Sequence, residues 1–445
     1  MPRVLLVAAT TGYQVRSFDE AATRLGVELV LATDRCHVLD DPWRDRAIPI
    51  RFGVDEESAS VGAVVDAVTE RPLDGVLSVG DRPAIIAAAI AEALSLPFSP
   101  APAVRAAGNK LLTRTRFRDA GLPSPWFTPV GRDEATRTLL ERVTFPCVVK
   151  PLALAASQGV MRADTPDQFE TAVARVRSVL DNSNRRARRD PADTEILAEE
   201  YLPGREVAVE GVLTDGRLLT FAIFDKPDPL EGPVFEETIY VTPPTLSAES
   251  QVGVEQAVAR AATALGLTVG PVHAECRIND VGVFVLEVAA RPIGGLCSKA
   301  LRFRGPAGAT ASLEEVLLRH ATRESVAGYQ REERASGVMM IPIPRDGLYK
   351  RVGGLEEARE VGWVEEITIT AKPDQRIRQL PEGASYLGFI FARAPRSNQV
   401  IEALRNAHER LTFDIEPAIP LLKPFPGEGR SLAARPTPHR RRSPP

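Results

Sequence analysis

Cysteine is scarce in this chain and never closely spaced. Four of the 445 residues are cysteines, at positions 36, 147, 276 and 297, with no C-x-x-C pair. Thiols scattered in this way exclude a disulfide frame and a thiolate zinc site, and they fit a reduced, cytoplasmic protein. Histidine is as sparse, and five dispersed residues exclude a histidine-rich metal centre. No apolar run reaches the roughly 18 residues that span a bilayer, so no membrane partner is expected. There is no excess of positive charge either. Lysine and arginine number 55 against 59 acids, a net charge of −4, and this argues against a general nucleic-acid binder. Neither glycine-rich nucleotide loop is present. The turn after the first apolar segment reads A-T-T-G-Y, without the glycines a dinucleotide pyrophosphate needs, and no G-x-x-x-x-G-K-[ST] occurs. The opening M-P-R-V-L-L-V-A-A is too short in its apolar part for a secretion signal and reads as a first strand.

What is present is α/β patterning on a chain long enough for roughly two to four domains or subdomains. Strands at 3–9, 27–33 and 75–79 alternate with helices at 18–25 and 83–94. This alternation predicts an open parallel α/β sheet over about the first hundred residues, with a small-molecule pocket at its strand ends. The proline-rich segment 97–102 reads as a break, followed by an amphipathic helix over 109–120. A strand at 145–150, a loop of small residues at 152–160 and a helix at 165–180 come next. The polar, basic stretch 182–193 reads as a solvated loop. Strands are expected at 196–200, 205–212, 218–224, 272–279 and 282–289, with a helix at 250–265. After about 325 the pattern changes to strands at 338–344, 366–370 and 388–394 and helices at 354–361 and 397–410, enough for a small α+β module. The last stretch, from about 427 to H-R-R-R-S-P-P at the end, has the composition of a disordered tail.

The densest chemistry lies between His273 and Gly295. Glu275 and Glu287 sit on two alternating apolar segments joined by N-D-x-G, a hairpin signature, and Arg291 follows four residues later. Such a hairpin can project both carboxylates from one face. Two acids and a guanidinium can hold Mg²⁺ and phosphate oxygens, and Mn²⁺ takes the same ligands. Unbridged, the two carboxylates would repel and raise one another's pKa, so a divalent cation gives the pair a reason. Lys150 ends its strand beside the small-residue loop, where Ser157 and the backbone of Gly159 could donate to phosphate. Lys110 opens a helix. The run E-E-Y-L-P-G-R-E from Glu199 to Glu206 can offer backbone groups to a purine edge and an acid to a ribose. Taken singly, each has an ordinary alternative: a snorkelling lysine, a strand connection, a surface turn.

Taken in chain order, these pieces resemble the ATP-grasp superfamily over roughly residues 1–320, and within it the L-amino-acid ligases. The stretches D-K-P-D-P-L-E-G-P-V-F-E-E-T-I-Y at 225–240, G-P-V-H-A-E at 270–275 and L-E-V-A-A-R-P-I-G-G at 286–295 carry the resemblance. It implies an N-terminal open parallel α/β (pre-ATP-grasp) domain at 1–105 and an ATP-grasp domain at 106–325 whose lid subdomain spans about 125–203. A C-terminal α+β module at 326–426 and a tail at 427–445 would follow. By the same resemblance Lys110 and Lys150 hold the ATP phosphates, and Ser157 and Gly159 belong to a mobile lid at 152–160. Glu199 and the backbone of Glu200 and Leu202 form the adenine hinge. Glu206 is the ribose acid, and Glu275 and Glu287 are the Mg²⁺ ligands. Arg291 lies near the transferred phosphoryl group and the substrate carboxylate. The wider superfamily has E-x-N-P-R, with the asparagine a further metal ligand; Ala289 stands there in the E-V-A-A-R form of the amino-acid ligases.

The implied reaction joins the carboxylate of one amino acid to the amine of another through an acyl phosphate, releasing ADP and phosphate. The implied partners are small amino acids, with a homo-oligomer left open. His273 or an acid at 225–237 would take the amine's proton, although His273 also reads as a buried structural residue. Gly294 and Gly295 would leave room for substrate. Other chemistry on the same scaffold, in a carboxylase subunit or a formate-dependent transformylase, is the alternative, as is a non-catalytic nucleotide-binding protein. No A-M-K-M biotin-attachment signal occurs, and keeping both lysines, both acids and the arginine argues against a non-catalytic role.

Overall fold

The computed structural model describes residues 1–10, 12–34, 47–181, 192 and 195–417. The basic loop 182–193 (Ala192 apart), Cys36 and the expected disordered tail lie outside the described residues. No helix among those described is long and apolar enough to cross a membrane. The three cysteines within them are buried and free, as their spacing suggested.

The N-terminal sheet is parallel, in the order Ile48–Pro49, Glu28–Thr33, Arg3–Ala8, Gly75–Val79. Val4 to Ala8 are all buried, because a parallel strand in the middle of such a sheet is covered on both faces. The chain leaves Arg3–Ala8 toward one side and returns on the other. The topological switch point, where open α/β sheets bind ligands, therefore falls between Arg3–Ala8 and Gly75–Val79. The turn through Tyr13 and Gln14 and the start of helix Asp81–Ala93 emerge there. One expectation needs correcting. The break at 97–102 is partly helical, since Ala101–Ala107 is an α-helix with Pro102 in its first turn, where a missing N–H costs nothing.

A second sheet is antiparallel, in the order Phe127–Val130, Ile196–Glu200, Cys147–Pro151, Met161–Ala163. Helix Pro166–Leu180 backs it, placing Phe169, Val173 and Val176 in a core with Val149, Met161 and Ile196. The Thr165 side chain caps that helix by accepting from the backbone N–H of Gln168.

The largest sheet has eight antiparallel strands. Gly282–Ala289, Gly270–Asn279, Arg205–Thr214, Arg217–Asp225 and Ile239–Thr242 come first. Ala335–Ile341, Gly388–Ala394 and Val364–Ile369 continue it, so the C-terminal segment extends this sheet. Alternation sorts its faces. Val207, Val209, Val272, Ala274, Cys276, Val285 and Val288 pack in one core with helix Ala248–Leu265. Glu206, Glu210, His273, Glu275, Arg277 and Glu287 fall on the opposite face.

Helix Leu313–Ala321 joins the N-terminal sheet to this body. A Cβ at Gly75 would lie 2.2 Å from the Ala321 carbonyl oxygen, so the strand approaches the helix end as closely as backbone allows. Gly75→Ala is expected to lower stability by about 1–3 kcal/mol through overpacking, measured by urea unfolding, with far-UV circular dichroism unchanged below the transition.

Candidate active site

A cavity of about 490 Å³ opens where the three sheets meet. Tyr13, Gln14, Gly80 and Asp81 reach it from the N-terminal switch point, and the loop after Lys150 covers another side. The polar face of the large sheet forms the floor, and Met340 and Tyr386 close the end from the C-terminal module. The cavity is lined by Lys110, Lys150, Ser157, Glu199, Glu200, Leu202, Glu206, His273, Glu275, Glu287 and Arg291, so eleven residues widely separated in sequence converge. Gly159 is not in this lining, and its N–H donates to the Pro381 carbonyl at 2.9 Å.

Strand register builds the floor. Glu275 lies directly opposite Glu287, and a bulge just beyond this pair leaves Leu286 without a partner. On the other side, Glu210 pairs with His273, Ala208 with Glu275 and Glu206 with Arg277. Ala289, a small residue two along the strand from Glu287, lines the cavity. Around Glu275 the charges are tightly interlocked. The Lys226 ammonium lies 2.8 Å from Glu206, 2.5 Å from Glu237 and 3.0 Å from Glu275, and the Tyr240 hydroxyl donates to Glu275 at 3.3 Å. Oxygens of Glu206, Glu237 and Glu275 lie within 4.8 Å of one another, a spacing that suits a metal ion. Lys226 contacts all three, so a protein cation already sits in that cluster and offsets part of its charge. Arg277 holds the far oxygen of Glu206 at 2.9 Å and the Leu202 carbonyl at 2.6 Å.

Glu287 faces Lys110 at 3.4 Å, and the same ammonium donates to the Leu154 carbonyl in the loop at 2.8 Å. Lys110 is reached because Asn109 caps its helix, accepting from the N–H groups of Leu111 and Leu112. One turn on, at the i+4 position of the same face, Arg114 enters the core with 1% of its side chain exposed. It grips both Glu199 oxygens, Oε2 at 2.8 Å and Oε1 at 3.2 Å, and Oε1 also accepts from the Lys150 ammonium. The Glu199 side chain therefore orients Lys150. Burial would raise its carboxyl, but Arg114 and Lys150 outweigh that and hold it at about 2. Burial also draws Lys150 down to about 8 against the pull of Glu199.

Arg291 is fixed by Asp81, with Nε at 2.8 Å and a guanidinium nitrogen at 3.3 Å. Burial alone would raise the Asp81 carboxyl, and Arg291 keeps it below its ordinary range. His273 Nδ1 lies 3.2 Å from Glu210, while Nε2 lies 3.8 Å from Glu275. Burial pulls the imidazolium down, yet these two carboxylates lift it to about 9. A histidine that is already protonated at neutral pH is a poor proton acceptor. Glu237, which lines the same cavity, is raised to about 7 by burial and by the charge on Glu275.

Arg114, Asp81, Glu210, Lys226, Glu237 and Arg277 were not singled out from the sequence as individual site residues. Two of them had a legible signal. Arg114 follows Lys110 at helical spacing, and Lys226 lies in the D-K-P-D-P stretch.

Comparison with known proteins agrees with this architecture. Residues 19–98 match the ATP-grasp N-terminal domain, 143–300 the ATP-grasp domain and 339–416 the L-amino acid ligase C-terminal domain 2. The chain belongs to the ATP-grasp superfamily and carries the C-terminal domain of its L-amino acid ligases. It is similar to an L-amino acid ligase structure from Bacillus licheniformis, with a TM-score of 0.78 at 26% identity over 94% of this chain and 99% of that one. Among curated sequences, the ATP-grasp enzyme fsqD of Aspergillus fumigatus is 32% identical over 47% of this chain and 35% of its own length. Alanine–anticapsin ligase of Bacillus subtilis is 29% identical over 46% of this chain and 45% of its own. The match thus spans less than half the length of either curated relative.

Arg114→Met would leave the Glu199–Lys150 pair buried without its guanidinium. It is expected to cost roughly 3–5 kcal/mol of stability at pH 7, measured by chemical denaturation. The Glu199 carboxyl sits below its ordinary 4.5, so its contribution is complete above that pH and is lost as pH falls toward about 2. In Arg114→Met that acid-dependent loss should shrink, and an unchanged stability–pH curve would refute the brace.

Proposed function

We propose that this protein is an ATP-dependent carboxylate–amine ligase that joins two amino acids through an acyl phosphate, releasing ADP and phosphate. The observation that carries the reading is the convergence of Lys110, Lys150 and Arg291 with Glu275 and Glu287 around one cavity closed by the C-terminal module. Three cations from separate segments suit a triphosphate and a developing phosphoryl charge. The domain set 1–105, 106–325 and 326–426, with the lid at about 125–203, is proposed as its framework.

In this reading ATP lies with its adenine against the 199–202 link and its ribose toward Glu206, whose carboxylate Lys226 and Arg277 orient. Lys110 and Lys150 hold the phosphates, and Ser157 faces them from the loop. The donor set fits Mg²⁺. Glu275 and Glu287 are cross-strand neighbours, and the contacts of Glu275 with Lys226, His273 and Tyr240 all fall on one carboxylate oxygen, Oε1. Bound there, Mg²⁺ would offset phosphate charge and polarise the transferring group. Arg291, braced by Asp81, neutralises the substrate carboxylate, and the acid is activated because phosphate is a far better leaving group than oxide. The second substrate's amine attacks the activated carbonyl. Glu237 takes the proton, and His273 stays protonated to hold Glu275 in place. Closure of the loop over Lys150 keeps water from the acyl phosphate. Gly294 has no atom within 4 Å of an added Cβ, which leaves room beside Arg291 for a substrate.

Incubation with ATP, Mg²⁺ and pairs of amino acids is expected to yield a dipeptide with one ADP and one phosphate per bond. AMP and pyrophosphate would refute the acyl-phosphate route. Glu287→Gln should lower ATP turnover by about a hundredfold or more while the melting temperature holds, and should weaken the Mg²⁺ dependence of nucleotide binding in calorimetry. Normal turnover would remove Glu287 from the metal site.

A further inference from the structure

The lid loop that follows Lys150 does not hold its shape unaided. Ala156 and Ser157 have φ of 55° and 53°, and Gly159 has φ of 73°. Left-handed backbone at an alanine and a serine is unfavourable, so neighbouring structure must stabilise it. That structure comes from the far end of the chain. The Gly159 N–H donates to the Pro381 carbonyl at 2.9 Å, and the Gln158 side chain donates to the Glu382 carbonyl at 2.7 Å. Arg175, on the helix behind the loop, grips the Glu382 carboxylate with contacts of 3.0, 2.8 and 2.9 Å.

The Pro381–Glu382 segment is itself anchored on the opposite side from the lid. The Gly383 N–H donates to the Gln379 carbonyl at 2.7 Å, in a turn so tight that a Cβ at 383 would lie 2.0 Å from the Arg378 carbonyl oxygen. Gln379 is tied down in turn, its N–H donating to Asp346 at 2.8 Å and its side chain to the Pro344 carbonyl at 2.9 Å. Past the turn, Tyr386 enters the cavity and packs edge-on against Phe389 at 6.2 Å. One short segment of the C-terminal module therefore touches the lid at one end and walls the cavity at the other.

We propose that Pro381 and Glu382 are positioning residues that seat the lid loop from the C-terminal module, acting through Gly159, Gln158 and Arg175. The seat places Ser157 and the loop backbone over the phosphate end of the cavity. Its effect on turnover rests on the ligase reading above, whereas its effect on the loop does not.

The full-length protein and its Arg175→Glu, Glu382→Arg, Glu382→Gln and paired Arg175→Glu/Glu382→Arg variants test this. Elastase cleaves after small residues, which the loop supplies at Ala153, Ala155 and Ala156. Cleavage within 152–160 of the ligand-free protein is followed by mass spectrometry. The pair is half-exposed, so each single variant is expected to cleave about three- to fivefold faster, and the charge-swapped pair to return toward the wild-type rate. The single variants are also expected to release more ADP per peptide bond, because a loosely seated lid admits water. Glu382→Gln keeps the shape of the side chain and serves where the reversed charge disturbs folding. Wild-type cleavage rates in the single variants, or no recovery in the swapped pair, would overturn the proposal. A chain that forms no bond with any amino acids would sink the ligase reading and leave the cleavage comparison intact.

Discussion

The site depends on one electrostatic constraint. Glu206, Glu210, Glu275 and Glu287 project from one face of one sheet, with Glu237 beside them, and most of that charge is buried. Carboxylates crowded in this way either take up protons or recruit cations, since an unpaired charge in a poorly hydrated interior is costly. Here each acid meets a cation, and the cations come from three segments of the chain. Lys226 serves three acids at once, Arg277 completes Glu206, and the His273 imidazolium bridges Glu210 and Glu275. Lys110 answers Glu287 from the helix Lys110–Asp119.

The same constraint divides the labour among the basic residues. Arg114 and Arg277 are spent on carboxylates and backbone carbonyls, so their work is to orient. Lys110, Lys150 and Arg291 each pair with a single carboxylate, Glu287, Glu199 and Asp81 respectively, and each also lines the cavity. That geometry lets an arriving anion compete for them without dismantling the core. The Arg291–Asp81 pair adds a further link, because Asp81 belongs to the N-terminal sheet's switch point. The Arg291 end of the cavity is thus assembled only when that sheet docks on the large one, and the close approach of Gly75 to Ala321 enforces the docking.

Much of the fold was legible because local physics was strong where it mattered. The hairpin of Glu275 and Glu287 follows from alternation and an N-D-x-G turn, and its second strand falls at Gly282–Ala289 as expected. Asn109 and Thr165 cap the helices they were expected to start. The short strands Phe127–Val130 and Met161–Ala163 were not legible, since three or four residues carry no periodicity. Helix Leu313–Ala321 went unread although it opens on a capping box from Ser312 and Glu315. Strand 338–344 is observed as Ala335–Ile341, shifted because its ladder is set by its neighbours Ile239–Thr242 and Gly388–Ala394.

The sequence by itself determined that Glu206 and Glu210 share a face of one strand and His273, Glu275 and Arg277 a face of another, because residues two apart on a strand cannot do otherwise; the bulge after Glu275 is what turns Glu287 to the same side. It also determined that Lys110 and Lys150 stand at the ends of elements, where a lysine can reach outward. Which cation neutralises which acid was decided only by tertiary structure. Arg114 meets Glu199, Lys226 meets three glutamates and Arg291 meets Asp81 across 85, 11 to 49 and 210 residues of chain respectively. No local pattern encodes such distances. They are set by how three sheets pack, and packing is driven by apolar faces that carry no information about the charges they bring together.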